Sequence, residues 1–379
     1  MPAEKHINQV VFSVTNCICY DQRVHKMARV VQEFGTEITI IGRKRGSCCA
    51  SGTVPWKTHR FRMIFKKGFL FYKFYNIRLF FYLLFHRFDL LVANDLDTLL
   101  PNFLVSKLKG IPLVYDSHEY FTGVPELQDR PFVRGVWKTI ERSILPKLKF
   151  LITVSDPIAE QYFIEYGIRP VTIRNCAPRS EHIKPLTLSE MGIDAGNLIL
   201  ILQGAGININ RGGEELIDAM GKVENVSLLI VGSGDVFEDL KARAIEKGVS
   251  AKVRFISSLP WDEMMRYTKS ADAGLSLDKN TNLNYRFSLP NKLFDYISAG
   301  IPVISGDLPE VTRIITENTC GVIIPEITPD EIGQAVRLLD SNRDLLAVLK
   351  QNAKSTSETL NWDTESKKVF EVYAEIIKK

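Results

Sequence analysis

No segment of this 379-residue chain is apolar for long enough to cross a bilayer as a helix: the longest unbroken apolar stretch in its aromatic region, residues 79–85, is far below the roughly 20 residues a span requires. The opening residues 1–8 are polar, and the apolar run at 10–14 is too short for the core of a secretion signal, so a cytoplasmic location is expected. Cysteine is sparse. The six (Cys17, Cys19, Cys48, Cys49, Cys176, Cys320) form no CxxC pair and have no histidine cluster at zinc-ligand spacing, so reduced, mostly packed thiols are expected. Repeats of 20–50 residues and low-complexity segments are also missing. One further absence is local: from Ile38 to Phe88 there is no aspartate or glutamate.

What is present is the composition of a folded protein, 45% apolar and 24% charged, in a chain too long for one ordinary core. The net charge of +4 divides unevenly. Residues 1–185 hold 27 Lys and Arg against 16 Asp and Glu, or +11, whereas residues 186–379 hold 21 against 28, or −7. Such asymmetry points the first half towards an anionic partner.

Short, β-branched apolar runs alternate with helical stretches along the chain. Strands are expected at 10–14, 37–41, 89–93, 112–115, 151–154 and 171–173, then at 198–202, 227–231, 252–256, 273–277, 302–304 and 321–324. Runs apolar on both faces indicate parallel strands buried on both sides. The βαβα alternation predicts an α/β protein of two doubly wound, Rossmann-like domains facing each other across a cleft. The expected division is 1–180, 190–362, and a closing helix at 363–379 that packs back on the first domain. In open parallel sheets ligands bind beyond the carboxyl ends of the strands, so the loops after strands hold the candidate residues.

Of these loops the most informative runs from Ser288 to Ile304. Pro290 enters a short helix, Gly300 ends it, and Lys292 and Asp295 share one helical face. Asn291 and Lys292 stand at a helix N-terminus suited to a diphosphate, and Asp295 has acceptor oxygens for a ribose diol. The plainer alternative is a surface Lys–Asp ion pair. A second loop, Gln203 to Gly213, carries Gly204, Gly206 and Arg211; small residues allow backbone to approach phosphate, and a guanidinium grips its oxygens. Gly232 lies in a third strand-to-helix turn, which either contacts a nucleotide or merely turns the chain.

In the first half His118 follows a strand end, where it is either structural or catalytic. Asp95 and Asp97 form a DxD without a third ligand. They are read as helix caps and no metal is expected. Asp21 is expected to cap the helix it precedes. The acid-free window 38–88 holds 11 Lys and Arg interleaved with 13 aromatics. Lys66, Lys67, Phe69 and Phe71 are its candidates for contact with an anionic membrane surface or a lipid-linked acceptor. The alternative is a helix with its aromatics in the core and its charges in water.

Taken together these pieces resemble retaining family 4 glycosyltransferases of the GT-B fold, which act in cell-surface polysaccharide assembly. Asp116-Ser117-His118-Glu119 is similar to that family's DxHE loop, Val154-Ser155-Asp156 to its VSD segment, and Arg174-Asn175 to the RN before the interdomain linker. Pro290-Asn291-Lys292 through Gly300-Ile301-Pro302-Val303 is similar to its PNKxxEYxxxGxPVI block. The resemblance implies that the second half binds a UDP- or GDP-linked sugar, with no cofactor and no metal. The first half then binds a glycan or lipid-linked acceptor, and His118 contacts the donor sugar to stabilise developing positive charge. Asp295 takes the ribose position of an EX7E motif. The partner eight residues earlier is Phe287 rather than an acid, with Asn284 or Asp278 as substitutes. Alternatives are a nucleotide-sugar 2-epimerase and a nucleotide-binding protein with a degraded active site. No nucleic-acid partner is expected, since no zinc module or RNP-like segment accompanies the basic half.

Overall fold

The computed structural model describes residues 7–44 and 54–377, so Arg45, Cys48 and Cys49 lie outside the described residues. The chain divides into two compact units, residues 1–174 with 366–379 and residues 175–365.

The first unit is built on a seven-stranded sheet: β1 (Gln9–Ser13), β2 (Glu37–Arg43), β3 (Lys57–Phe61), β4 (Leu90–Asn94), β5 (Leu113–Ser117), β6 (Phe150–Thr153) and β7 (Val171–Thr172). The order is β3-β2-β1-β4-β5-β6-β7 and every pairing is parallel. The strand order reverses between β1 and β4, which opens a crevice at their carboxyl ends. β4 and β5 are buried along their whole length, as their apolar runs require. β3, by contrast, was not expected. Its sequence KTHRF is polar and only Phe61 is buried. It pairs with β2 alone, and an edge strand needs no apolar run on both faces.

Three helices of this unit matter for the site. Helix α1 (Gln22–Gln32) is capped by the Asp21 carboxylate, which accepts from the Val24 N–H at 3.2 Å. Helix α2 (Gly68–Phe85) buries Phe71, Tyr75, Leu79 and Leu83, one residue per turn. Helix α3 (Leu96–Lys109) follows β4 directly. The last helix, Trp362–Ile377, gives residues 366–379 to this unit, where Phe370 stacks on Phe34 at 4.4 Å and Tyr373 is fully buried.

The second unit repeats the topology with six parallel strands: β8 (Leu198–Gly204), β9 (Val226–Gly232), β10 (Val253–Ser257), β11 (Ala273–Ser276), β12 (Val303–Gly306) and β13 (Gly321–Ile324). The order is β10-β9-β8-β11-β12-β13. Successive residues of β8 point to opposite faces: Leu198, Leu200 and Leu202 enter one apolar cluster, Ile199 and Ile201 the other. The reversal here falls between β8 and β11.

Cysteine usage departs from expectation. Cys17 and Cys19, in the segment after β1, are disulfide-bonded, whereas Cys176 and Cys320 are free and buried. The expectation of reduced thiols rested on the absence of a CxxC pattern, which a disulfide does not require.

Candidate active site

Two clusters of charged side chains sit at the carboxyl ends of the sheets, one in each unit. In the second unit, Arg211 lies in the loop after β8, just before the helix Gly213–Met220, and Lys292 lies in the first turn of the helix Asn291–Ala299. Both reach one buried carboxylate at the end of β11. Arg211 Nη1 is 3.1 Å from Asp278 Oδ1, and Lys292 Nζ is 3.3 Å from Asp278 Oδ2. The Arg211 guanidinium also lies over the Tyr285 ring, 4.9 Å from its centroid. Burial pushes the Lys292 ammonium down and Asp278 pulls it back up, with Arg211 working against it. Lys292 is therefore no surface lysine, and two cations with two helix N-termini form a positive cradle around a single acid.

Asp295 is 8% exposed and already in use. The Gln203 amide donates to its Oδ2 at 3.1 Å and the Trp261 indole N–H to its Oδ1 at 2.9 Å. Both of its oxygens are therefore engaged within the fold. Asn284 is buried, and Asn291 accepts from the Asn175 amide at 2.8 Å. Gln203 and Trp261 carried no motif in the sequence; only packing against Asp295 reveals them.

The glycines divide by role. Gly232 has φ +142°, and a Cβ there would lie 1.9 Å from the Gly204 carbonyl oxygen. The two face each other across β8 and β9, so backbone contact alone demands glycine there. At Gly206, by contrast, an added Cβ meets only the Arg211 guanidinium, at 3.9 Å. That glycine keeps the space beside the cation open.

In the first unit the cluster centres on His118, after β5. Its Nδ1 is 3.3 Å from Asp95 Oδ2, and its Nε2 is 3.4 Å from Asp116 Oδ2, outside hydrogen-bond alignment. Asp116 is fully buried and held by Arg23, whose Nε and Nη2 donate at 2.9 and 2.7 Å while Nη1 donates to the Ile173 carbonyl. Burial disfavours charge on Asp116, but Arg23 and His118 outweigh it and hold the carboxyl well below its usual range. Burial likewise disfavours the imidazolium, yet Asp95 and Asp116 push His118 up to about 9. The ring is thus protonated at neutral pH. The flanking carboxylates carry the compensating charge.

The DxD residues diverge. Asp95 occupies the N-cap position of α3, but its side chain makes no capping bond, contrary to expectation, and instead accepts from the His118 backbone N–H at 2.8 Å. Its backbone sits at φ 60°, ψ 166°, a region nearly restricted to glycine that costs about 1–3 kcal/mol. Asp97 accepts from Thr15 at 2.5 Å, and burial, with the Asp95 charge, pushes it up to about 8. Among the described residues no group of three or more His, Cys, Asp or Glu is placed to hold a metal ion.

The proposed membrane contacts separate likewise. Lys66, Lys67 and Phe69 are exposed, but Phe71 is 3% exposed, beneath the Arg43 guanidinium at 4.8 Å. Phe71 is a core residue, which corrects its assignment: in a helix, adjacent side chains lie about 100° apart, so Phe69 and Phe71 cannot share a face.

Comparison with known proteins settles the family. The description "Glycosyltransferase Family 4" matches residues 21–177, and "Glycosyl transferases group 1" matches residues 195–356. The chain belongs to glycosyltransferase family 4. Its class as an enzyme is accordingly that of a glycosyltransferase. An uncharacterised glycosyltransferase of Methanocaldococcus jannaschii is 28% identical over 46% of this chain and 44% of its own length. The MMP alpha-(1->4)-mannosyltransferase of Mycolicibacterium hassiacum is 23% identical over 76% of this chain and 71% of its own. A GDP-mannose-dependent alpha-(1-6)-phosphatidylinositol monomannoside mannosyltransferase of Mycobacterium tuberculosis is 24% identical over 42% of this chain and 43% of its own.

Among solved structures, sucrose-phosphate synthase of Thermosynechococcus elongatus matches with TM-score 0.77 at 15% identity, covering 98% of this chain and 99% of that one. The Anabaena protein Alr3699/HepE in complex with UDP-glucose matches with TM-score 0.76 at 15% identity, covering 98% and 100%. These place this family 4 member in the GT-B fold. A putative UDP-N-acetylglucosamine 2-epimerase of Listeria monocytogenes also matches, with TM-score 0.66 at 10% identity over 98% and 97% of the two chains. Fold therefore does not separate transferase from epimerase; the two family matches favour the transferase.

Proposed function

We propose that this enzyme is a retaining glycosyltransferase that moves a sugar from a UDP- or GDP-linked donor onto a glycan or lipid-linked acceptor. Arg211 and Lys292, converging on Asp278 beside two helix N-termini, carry the reading. A nucleotide diphosphate supplies the anion that such a cradle takes, with Gly206 leaving space beside Arg211 and the Gly204–Gly232 pair shaping the two strand-to-helix turns next to it. Asn284, Asn291 and Asp295 complete the donor site, Asp295 accepting from the ribose. Turnover needs His118, and no metal or other cofactor takes part. Relatives and neighbours named for GDP-mannose and for complexes with UDP-glucose support a nucleotide-sugar donor but do not choose the base.

The acceptor side is proposed to meet an anionic membrane on the cytoplasmic face, as in polysaccharide assembly. Exposed Lys66, Lys67 and Phe69 at the start of α2 support this. No helix among the described residues is long and apolar enough to cross a membrane, so any contact would be peripheral.

The test is calorimetry against a panel of nucleoside diphosphates, followed by transfer assays with the base that binds. Asp295→Ala should weaken nucleotide binding by about 10–100-fold, the worth of one or two charged hydrogen bonds. His118→Ala should spare binding and lower turnover. Donor incubated alone should yield no epimer. Wild-type behaviour of both variants would remove the basis for the assignment.

A further inference from the structure

Asp95 stands at the N-cap position of α3 without a side-chain capping bond, yet its backbone is held in a conformation that residues with a Cβ avoid. Strain of this kind persists only where the surroundings over-determine it. Here the Asp95 N–H donates to the Asp116 carbonyl at 2.9 Å, while its side chain accepts from the His118 N–H at 2.8 Å and faces His118 Nδ1 at 3.3 Å. One residue thus ties the start of α3 to the end of β5 and to His118 just beyond it. The other ring nitrogen, Nε2, is buried and has no hydrogen-bond partner among the described residues.

We propose that Asp95 is a positioning residue: it orders the start of the His118 loop and engages Nδ1, so that the ring keeps both protons and enters the reaction as an imidazolium rather than as a base. This rests on the transferase reading above, and it adds a residue and a protonation state that the family motifs do not specify. Both ring nitrogens face a carboxylate, Nδ1 that of Asp95 at 3.3 Å and Nε2 that of Asp116 at 3.4 Å, so a neutral ring with one proton serves only one of them and a doubly protonated ring serves both. The charges around the ring favour the second proton. Asp95 faces it from the start of α3, Asp116 from β5 and Asp21 from the cap of α1, while Arg23 on α1 is spent on Asp116. Asp97 on α3 and Glu119 beside the ring are the remaining acids nearby.

The experiment combines a titration with a pH profile. Imidazole resonances of His118, assigned by their loss in His118→Gln, should titrate near pH 9 in the wild-type chain. In Asp95→Asn, which keeps an acceptor for the His118 N–H, the midpoint should fall towards the ordinary value of about 6.5. Turnover at pH 8 should drop by about tenfold or more with donor KM nearly unchanged, and the alkaline limb of the kcat profile should move down with the titration midpoint. Asp95→Gly is the second variant. It relieves the backbone, so its melting temperature should stay close to wild type while turnover still falls. An unmoved His118 midpoint in Asp95→Asn, or full turnover in Asp95→Gly, overturns the proposal. Because the titration needs no substrate, a wild-type chain that transfers no sugar but shows the predicted midpoints would defeat the functional reading and leave the clamp standing.

Discussion

Asp278 carries a buried negative charge between two cations, and the balance of that trio decides what each substitution does. Replacing Lys292 by Met keeps the stem packed but removes one of the two compensating charges, leaving Asp278 with Arg211 alone. The expected cost is about 1–3 kcal/mol of stability, the penalty for an imperfectly satisfied buried charge. Adding Asp278→Asn to Lys292→Met should restore much of that stability, because the unpaired charge is gone. Nucleotide affinity should not return with it, since the missing ammonium is what the diphosphate would meet. Melting temperatures and nucleotide titrations on the two single variants and the double variant separate these effects, as a thermodynamic cycle requires. Recovery of affinity in the double variant would place the diphosphate elsewhere. Residue identity alone announced Lys292 and Arg211, since a cation at a helix start is visible in a sequence. Asp278 as their shared partner was not visible, because the contact spans 67 positions in one direction. Trp261 and Gln203 were hidden for the same reason.

At the scale of one element, α2 shows why composition does not settle orientation. Its residues are apolar almost all round, so no amphipathic signal picks the buried side. The structure picks Phe71, Tyr75, Leu79 and Leu83, and leaves Phe69, Leu70, Phe74, Ile77, Phe81 and Phe85 between 42% and 76% exposed. The exposed set from Leu70 onwards recurs every three or four residues, a stripe along the helix. Neighbouring phenylalanines should therefore behave in opposite ways. Phe71→Ala should cost about 3–5 kcal/mol as a large-to-small change in a core. Phe69→Ala should leave stability within about 0.5 kcal/mol of wild type. In flotation with vesicles containing anionic lipid, the wild-type chain should rise with the vesicles. Lys66→Glu with Lys67→Glu should remain at the bottom, and Phe69→Ala should float less well. Equal recovery of all variants would confine α2 to a structural role. Strand β3 makes the complementary point. A search for apolar runs finds every strand buried on both faces and passes over an edge strand whose sequence alternates with charge.

Over the whole molecule the two units share a topology but differ in where titratable groups are buried, and this gives their stabilities different pH dependences. The sheets were legible because parallel strands covered on both faces must be apolar, and twelve such runs recur at the spacing of βα units. The buried acids were not, for a carboxylate looks the same in a sequence whether it is solvated or enclosed. In the first unit burial raises Asp95, and three further groups whose folded values reach the neutral or alkaline range bind protons more tightly folded than unfolded: burial raises Asp97 to about 8 and Glu141 to about 7, and nearby carboxylates raise His118 to about 9 against its own burial.

The sign is the same for all three. Their contribution is complete below the unfolded pKa, which is acidic for the carboxyls and about 6.5 for the histidine, and it is lost as pH rises through the folded values. Asp116 has the opposite sense, contributing above its unfolded pKa and failing only in strong acid, so it does not offset the others in the alkaline range. For His118 alone the loss between pH 6.5 and 9 is on the order of 3 kcal/mol. In the second unit burial shifts Lys292 and Lys269 downwards, and no raised carboxyl accompanies them among the described residues. Calorimetric scans from pH 6.5 to 9.5 should therefore show the transition of the first unit falling by several degrees more than that of the second. His118→Gln should flatten that dependence, because a side chain that cannot titrate has no proton to lose. Parallel shifts of both transitions, or an unchanged slope in His118→Gln, would mean that the acids around the histidine are solvated and that the cluster at the end of β5 is looser than its distances imply.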